Sequence, residues 1–170
     1  VDAVDEHRRG LVLDRADESS ARFLLARGAT LTPNVAARLG WLEELAAMVR
    51  GDPSLVHARG GGGQQPLHGA KNVAIADFLL DRGADIDARC IDHKSTPAQC
   101  ALVDRPAVAR HLLDRGATPD IFMAARLGDL ALLVGRHHHQ APASLRQVEP
   151  RERGVERRAR RHASPAPPLA

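Results

Sequence analysis

Cys90, His93, Cys100 and His68 are residue types that bind zinc, and they fall within one third of the chain. Zinc needs three or four converging ligands, usually supplied as closely spaced pairs. Cys90 and His93 share one connecting stretch, but Cys100 belongs to the helical segment after it, so no metal site is expected. His137-His138-His139 is a chelating run with no packed surroundings to orient its rings, which leaves it a solvated polar stretch. Gly60-Gly61-Gly62-Gly63-Gln64-Gln65 has the glycines of a phosphate-cradling loop but lacks the Lys-Ser/Thr that completes one, and reads as a flexible tip. No Ser/His/Asp set and no paired carboxylates recur, so neither catalysis nor a cofactor is expected.

The elements that would position these groups follow from an internal repeat. Leu79-Leu80-Asp81-Arg82-Gly83-Ala84 recurs without change as Leu112-Leu113-Asp114-Arg115-Gly116-Ala117, 33 positions later. Each copy is preceded by a Pro-led apolar stretch, Pro66-Leu67-His68-Gly69-Ala70 and Pro97-Ala98-Gln99-Cys100-Ala101. Thr96-Pro97 is a helix start, because the hydroxyl accepts a free N–H and Pro lacks only a donor that the first turn does not use. Val108, Ala109, Leu112 and Leu113 form a stripe at helical period. Gly116 stops the helix, since glycine enters the left-handed conformation of a C-terminal cap at little cost. Helix, turn, helix and glycine stop make a unit too small to bury its own apolar face, so copies must stack.

This unit resembles the ankyrin repeat. Pro66-Leu67-His68 stands where that family has its T-P-L-H tetrapeptide, with Gln65 in place of the capping Thr. Phe78-Leu79-Leu80-Asp81-Arg82-Gly83-Ala84-Asp85-Ile86-Asp87-Ala88 matches the family's second helix, glycine stop and hairpin start. Pro66 to Gly83 spans 17 positions and Pro97 to Gly116 spans 19, slightly short of the family spacing, so the inner turn is trimmed. The resemblance covers roughly residues 18 to 134. It implies an all-α ankyrin-repeat α-solenoid of stacked helix pairs with two β-hairpin fingers, used to bind a protein partner. It also implies that His68 hydrogen-bonds a neighbouring loop.

The expected domain is 1–135, with units at about 6–31, 32–63, 64–95, 96–117 and a partial 118–135. Ala36-Ala37-Arg38-Leu39-Gly40 recurs as Ala124-Ala125-Arg126-Leu127-Gly128, 12 residues after Gly28 and Gly116 respectively in the sense that each pentapeptide ends there. Only Asp52 to Gln65 and Asp85 to Ser95 are long enough for fingers. Val56 and Ile86 should point inward there, with polar neighbours outward. Candidate partner contacts are His57, Arg59, Gln64, Lys71, Asn72, Asp85, Asp87, Arg89, Asp92, His93 and Lys94, with Trp41 as either an aromatic anchor or a half-buried packing residue.

Residues 136–170 hold eight Arg and three Glu, a net +5, whereas residues 1–135 hold 16 basic and 18 acidic residues, a net −2. That basic, Ala/Arg/Pro-rich tail is expected to be disordered. Association of the tail with nucleic acid or another acidic surface is the alternative reading, without aromatic residues to stack on bases. No apolar run of about 18 residues suggests a membrane span. Cys90 and Cys100 do not make a disulfide framework, and a cytoplasmic, monomeric protein with reduced thiols is expected.

Overall fold

The computed structural model describes residues 4, 5, 10 to 129, 131 and 132, all within the unit Val1–Leu133. Expectations for 136–170, the His137–His139 run included, lie outside the described residues. The described chain is helical. A two-residue antiparallel bridge, β1 (Val4–Asp5) with β2 (Gly10–Leu11), precedes a 3-10 turn at Val12–Arg15. The α-helices are α1 (Glu18–Leu25), α2 (Pro33–Leu39), α3 (Leu42–Gly51), α4 (Val73–Asp81), α5 (Pro97–Ala101), α6 (Pro106–Asp114) and α7 (Ile121–Leu127).

Side-chain caps start most of these helices. Thr32 Oγ1 accepts from Val35 N, Asn72 Oδ1 from Ile75 N and Asp120 Oδ1 from Met123 N. Thr96 and Gln99 cap each other, the hydroxyl accepting from Gln99 N and the amide oxygen from Thr96 N. Pro occupies the first turn of α2, α5 and α6.

The helix ends repeat as faithfully as the sequence does. Gly28, Gly83 and Gly116 have φ of +88°, +87° and +102°. After each, an Ala N–H reaches back five residues: Ala29 to Leu24 O, Ala84 to Leu79 O and Ala117 to Leu112 O, at 3.1, 3.0 and 2.9 Å. This is the left-handed glycine stop that satisfies the last free carbonyls of a helix. Gly40 and Gly128 end the two AARLG helices in the same way, through Trp41 N to Ala36 O and Asp129 N to Ala124 O, both 2.9 Å.

Helices α2 and α3 pack as a pair, as do α5 and α6, and α4 packs on both α3 and α6. Their shared apolar cluster runs from Ala36 to Met123 and includes Leu45, Leu67, Ile75, Leu79, Leu102 and Leu112. A smaller cluster of Leu13, Ala21 and Val35 sits under α1. Leu79 and Leu112, the same position of the repeated hexapeptide, are both fully buried.

Two expectations are corrected. The first helix of the third unit is a single 3-10 turn, Pro66–Gly69, rather than an α-helix. Asn72 already caps α4, so too few residues remain to propagate an i→i−4 ladder. The second correction concerns the fingers, for neither connector is a β-hairpin. Asp52–Gln65 holds 3-10 turns at Pro53–His57 and Gly61–Gly63, and Asp85–Ser95 is irregular, with short turns at 86–87 and 91–93 and backbone bonds from Ala88 N to Asp85 O at 3.2 Å and from Cys90 N to Ser95 O at 3.1 Å. The connectors bond to each other instead: Ile91 N and Asp92 N both donate to Gly62 O, at 3.0 and 3.2 Å.

Candidate interaction surface

The partner-contact candidates fall into two groups. Trp41, Lys71 and Asn72 belong to the inner turns, which join the two helices of a unit. Lys71 N donates to Ala37 O at 3.0 Å, and its side chain lies against Gly40. Asn72 spends its side-chain oxygen on the α4 cap. Trp41 is half-buried and packs against both apolar clusters, with the Arg22 guanidinium 5.1 Å from its ring centroid. Its indole N–H has no hydrogen bond of ordinary geometry, yet it stands close enough to help hold the Glu18 carboxylate below its usual range, after the larger effect of Arg22. That placement makes Trp41 a wedge between clusters.

The inner turns are joined through backbone carbonyls. Arg105 Nη1 donates to His68 O and Ala70 O, at 3.2 and 2.9 Å, and its Nη2 to Cys100 O at 3.4 Å. Arg38 Nη2 donates to Leu13 O and Ala16 O, at 3.1 and 2.6 Å. Each arginine thereby ties its own unit to the preceding one, and burial lowers the Arg38 pKa against the pull of Asp14 and Asp17. Sequence reasoning missed both residues. Their one sign was an Arg near an inner turn, which composition alone does not separate from the other arginines.

His57, Arg59, Gln64, Asp85, Asp87, Arg89, Asp92, His93 and Lys94 belong to the connectors. All but the half-buried Gln64 and Asp87 are exposed. Several have structural duties. Asp87 accepts from Thr118 N at 2.9 Å and from the Thr118 hydroxyl, which ties its connector to the start of the last unit. Gln64 contributes its backbone oxygen to Asn34 Nδ2 at 2.9 Å. Asp85 Oδ1 accepts from Asp87 N at 3.0 Å. Arg59 Nη1 donates to Gly63 O and Arg89 O, at 2.7 and 3.3 Å, and Arg89 Nη1 donates to Lys94 O at 2.9 Å.

The four-glycine stretch is a docked turn rather than a loose tip. Gly60 N donates to Gln64 O at 2.8 Å, and Gly62 and Gly63 take φ of +66° and +69°. A Cβ on Gly63 would stand 2.3 Å from Ile91 Cγ1, and one on Gly62 would stand 2.8 Å from Asp92 Oδ2. Glycine is needed for both reasons, conformation and close approach. Val56 is buried and Ile86 is half-buried against the main cluster, as the alternation predicts.

His68 is buried between connector and helix. Its Nδ1 lies 3.2 Å from Gln65 N, which can only donate, so Nε2 carries the proton and donates to Ser95 O at 3.2 Å. Burial lowers its pKa, outweighing the acceptor at Ser95. On the outer side of α4 and α6, Asp77 meets His111 at 2.8 Å and also Arg115, while Arg115 reaches Asp81 at 2.9 Å. The hydrogen bond from His111 holds Asp77 below the usual carboxylate range.

Cys90 is buried, Cys100 is half-buried, and burial pushes the Cys100 thiol up. Among the described residues no three of His, Cys, Asp and Glu converge on a point. No helix among them is long and apolar enough to cross a membrane. No protein-family model matches the sequence, and neither does any curated protein.

Proposed function

We propose that the chain is an ankyrin-type stack serving as a non-enzymatic protein-binding module, with its connectors as the contact row. The observation that carries this reading is the equivalence of the two LLDRGA copies. Both leucines are fully buried, both glycines are left-handed, and α4 lies against α6. Units that lean on one another this way spend their apolar residues on the stack and leave connector side chains free for recognition. His57, Arg59, Arg89, Asp92, His93 and Lys94 are exposed on two connectors that bond directly to each other.

A photo-crosslinking side chain placed at His93 in the full chain, and separately at Arg50 on α3, tests this. Protein adducts formed from His93 and not from Arg50 are the expected result. Equal labelling from both positions, or none from His93, would remove the connector row as the contact surface.

A further inference from the structure

The arginines of this protein are used in different ways. Arg22 pairs with Glu18, Arg105 with Asp104, and Arg115 with Asp77 and Asp81. Arg59 and Arg89 are exposed and form no ion pair with any described carboxylate, and neither does Lys94. Both guanidinium groups are nevertheless held. Each spends Nη1 on backbone carbonyls: Arg59 on Gly63 O and Arg89 O, Arg89 on Lys94 O. They occupy the same place in successive connectors, at the end of Val56-His57-Ala58-Arg59 and Ile86-Asp87-Ala88-Arg89.

A guanidinium has five N–H donors in a fixed fork. With Nη1 engaged, the Nε and Nη2 edge remains, which is the edge that grips a carboxylate with two parallel bonds. Holding the side chain beforehand lowers the ordering entropy lost on binding. We propose that Arg59 and Arg89, with Lys94 beside them, form a preset cationic row that takes the carboxylates of an acidic protein segment lying across both connectors. The inference rests on the binding-module reading and gives its partner a chemistry.

A nucleic acid fits this row less well. The connectors contain no Phe, Trp or Tyr to stack on bases. Asp85 and Asp92 are exposed in the same connector and would repel a continuous phosphate chain. A peptide presents its carboxylates at intervals and can pass Asp85 and Asp92 with less repulsion than a continuous phosphate chain.

The test titrates the full chain with a short fluorescein-labelled peptide of alternating Glu and Gly. The Arg59→Gln/Arg89→Gln pair keeps side-chain donors for the carbonyls and removes the charges, and should weaken binding about tenfold or more. Arg110→Gln/Arg126→Gln changes two exposed arginines away from the connectors and should stay within about twofold. The basic residues 136–170 are common to all these proteins, so their share cancels. Asp92→Asn should tighten binding, a gain that damaged folding cannot imitate.

Equal affinity in the two arginine pairs, no binding by the unmutated chain, or weaker binding by Asp92→Asn would each overturn the proposal. So would an oligothymidylate of equal charge that displaces the peptide and loses affinity with the same Arg59 and Arg89 changes. Should His93 adducts form while the peptide titration fails, the binding module stands and only its preference for acidic partners falls. Absence of those adducts removes the connector row as the contact surface, and this inference with it.

Discussion

The LLDRGA copies and the two connectors behave in opposite ways. The hexapeptides are identical and fold identically, down to the N–H that reaches back five residues past each glycine. The connectors also share a pattern, Val56-His57-Ala58-Arg59 against Ile86-Asp87-Ala88-Arg89, yet one contains 3-10 turns and a glycine turn while the other holds only short turns at 86–87 and 91–93. A helix end is completed by bonds among neighbours in the chain, so the same residues give the same structure. A connector has local bonds too, such as Ala58 N to Leu55 O and Cys90 N to Ser95 O, but they form no repeating ladder. Bonds from the connector beside it, through Gly62 O and the Arg59 side chain, add to those local ones.

The largest test of that contrast lies in the core. Leu79→Ala and Leu112→Ala should each cost about 2–5 kcal/mol as fully buried truncations, read by urea unfolding of the full chain. Equal surroundings require similar costs. A neutral result in either would break the equivalence of the copies.

Glycine substitutions compare the two regions directly. Gly83→Ala meets open space and should cost only the left-handed strain, about 1–2 kcal/mol. Gly63→Ala adds a collision with Ile91 to the same strain, for about a further 1–3 kcal/mol. Thermal melts that rank Gly83→Ala as the worse change would mean the glycine turn is not docked on Ile91. The bulkier Gly83→Val should cost at least about 1 kcal/mol.

Arg105→Ala removes the tie between successive inner turns and leaves the carbonyls of His68 and Ala70 short of a donor. The Arg105 side chain is only 19% exposed, and a loss of about 1–3 kcal/mol is expected. A similar change at exposed Arg110 should be near neutral.

The smallest effect concerns pH. Because the folded pKa of His68 is depressed by burial, the unfolded chain takes up its proton first as pH falls. The contribution is present above the ordinary histidine value of about 6.5 and is lost as pH drops through it toward the folded value. His68→Gln should flatten that part of the stability profile, with the exposed His57 and His93 common to both proteins. An unchanged slope would mean His68 is not buried in its neutral form.

Much of the helical part was legible beforehand. Thr96 and Pro97 marked a helix start, and Gly83 and Gly116 marked helix ends, because caps and left-handed stops are short-range devices. The inward side chains Val56 and Ile86 followed from alternation. The fingers were misread because their alternation matched a hairpin, whereas local turn bonds, such as Ala58 N to Leu55 O and Ala88 N to Asp85 O, combine with bonds between the connectors, as from Arg59 to Arg89. The candidate surface was read as one group, whereas Trp41, Lys71 and Asn72 sit at inner turns and the rest on connectors.

The order of residues by itself determined that the described chain is helical, where its repeats fall and which leucines face inward, since periodicity and capping act within a few positions. Tertiary structure alone decided that four glycines form a docked turn, that Asp87 ties one unit to the next, and that Arg38 and Arg105 bind backbone carbonyls of the preceding unit. Those outcomes depend on groups far apart in the chain meeting at hydrogen-bond distance, and no local pattern carries that distance.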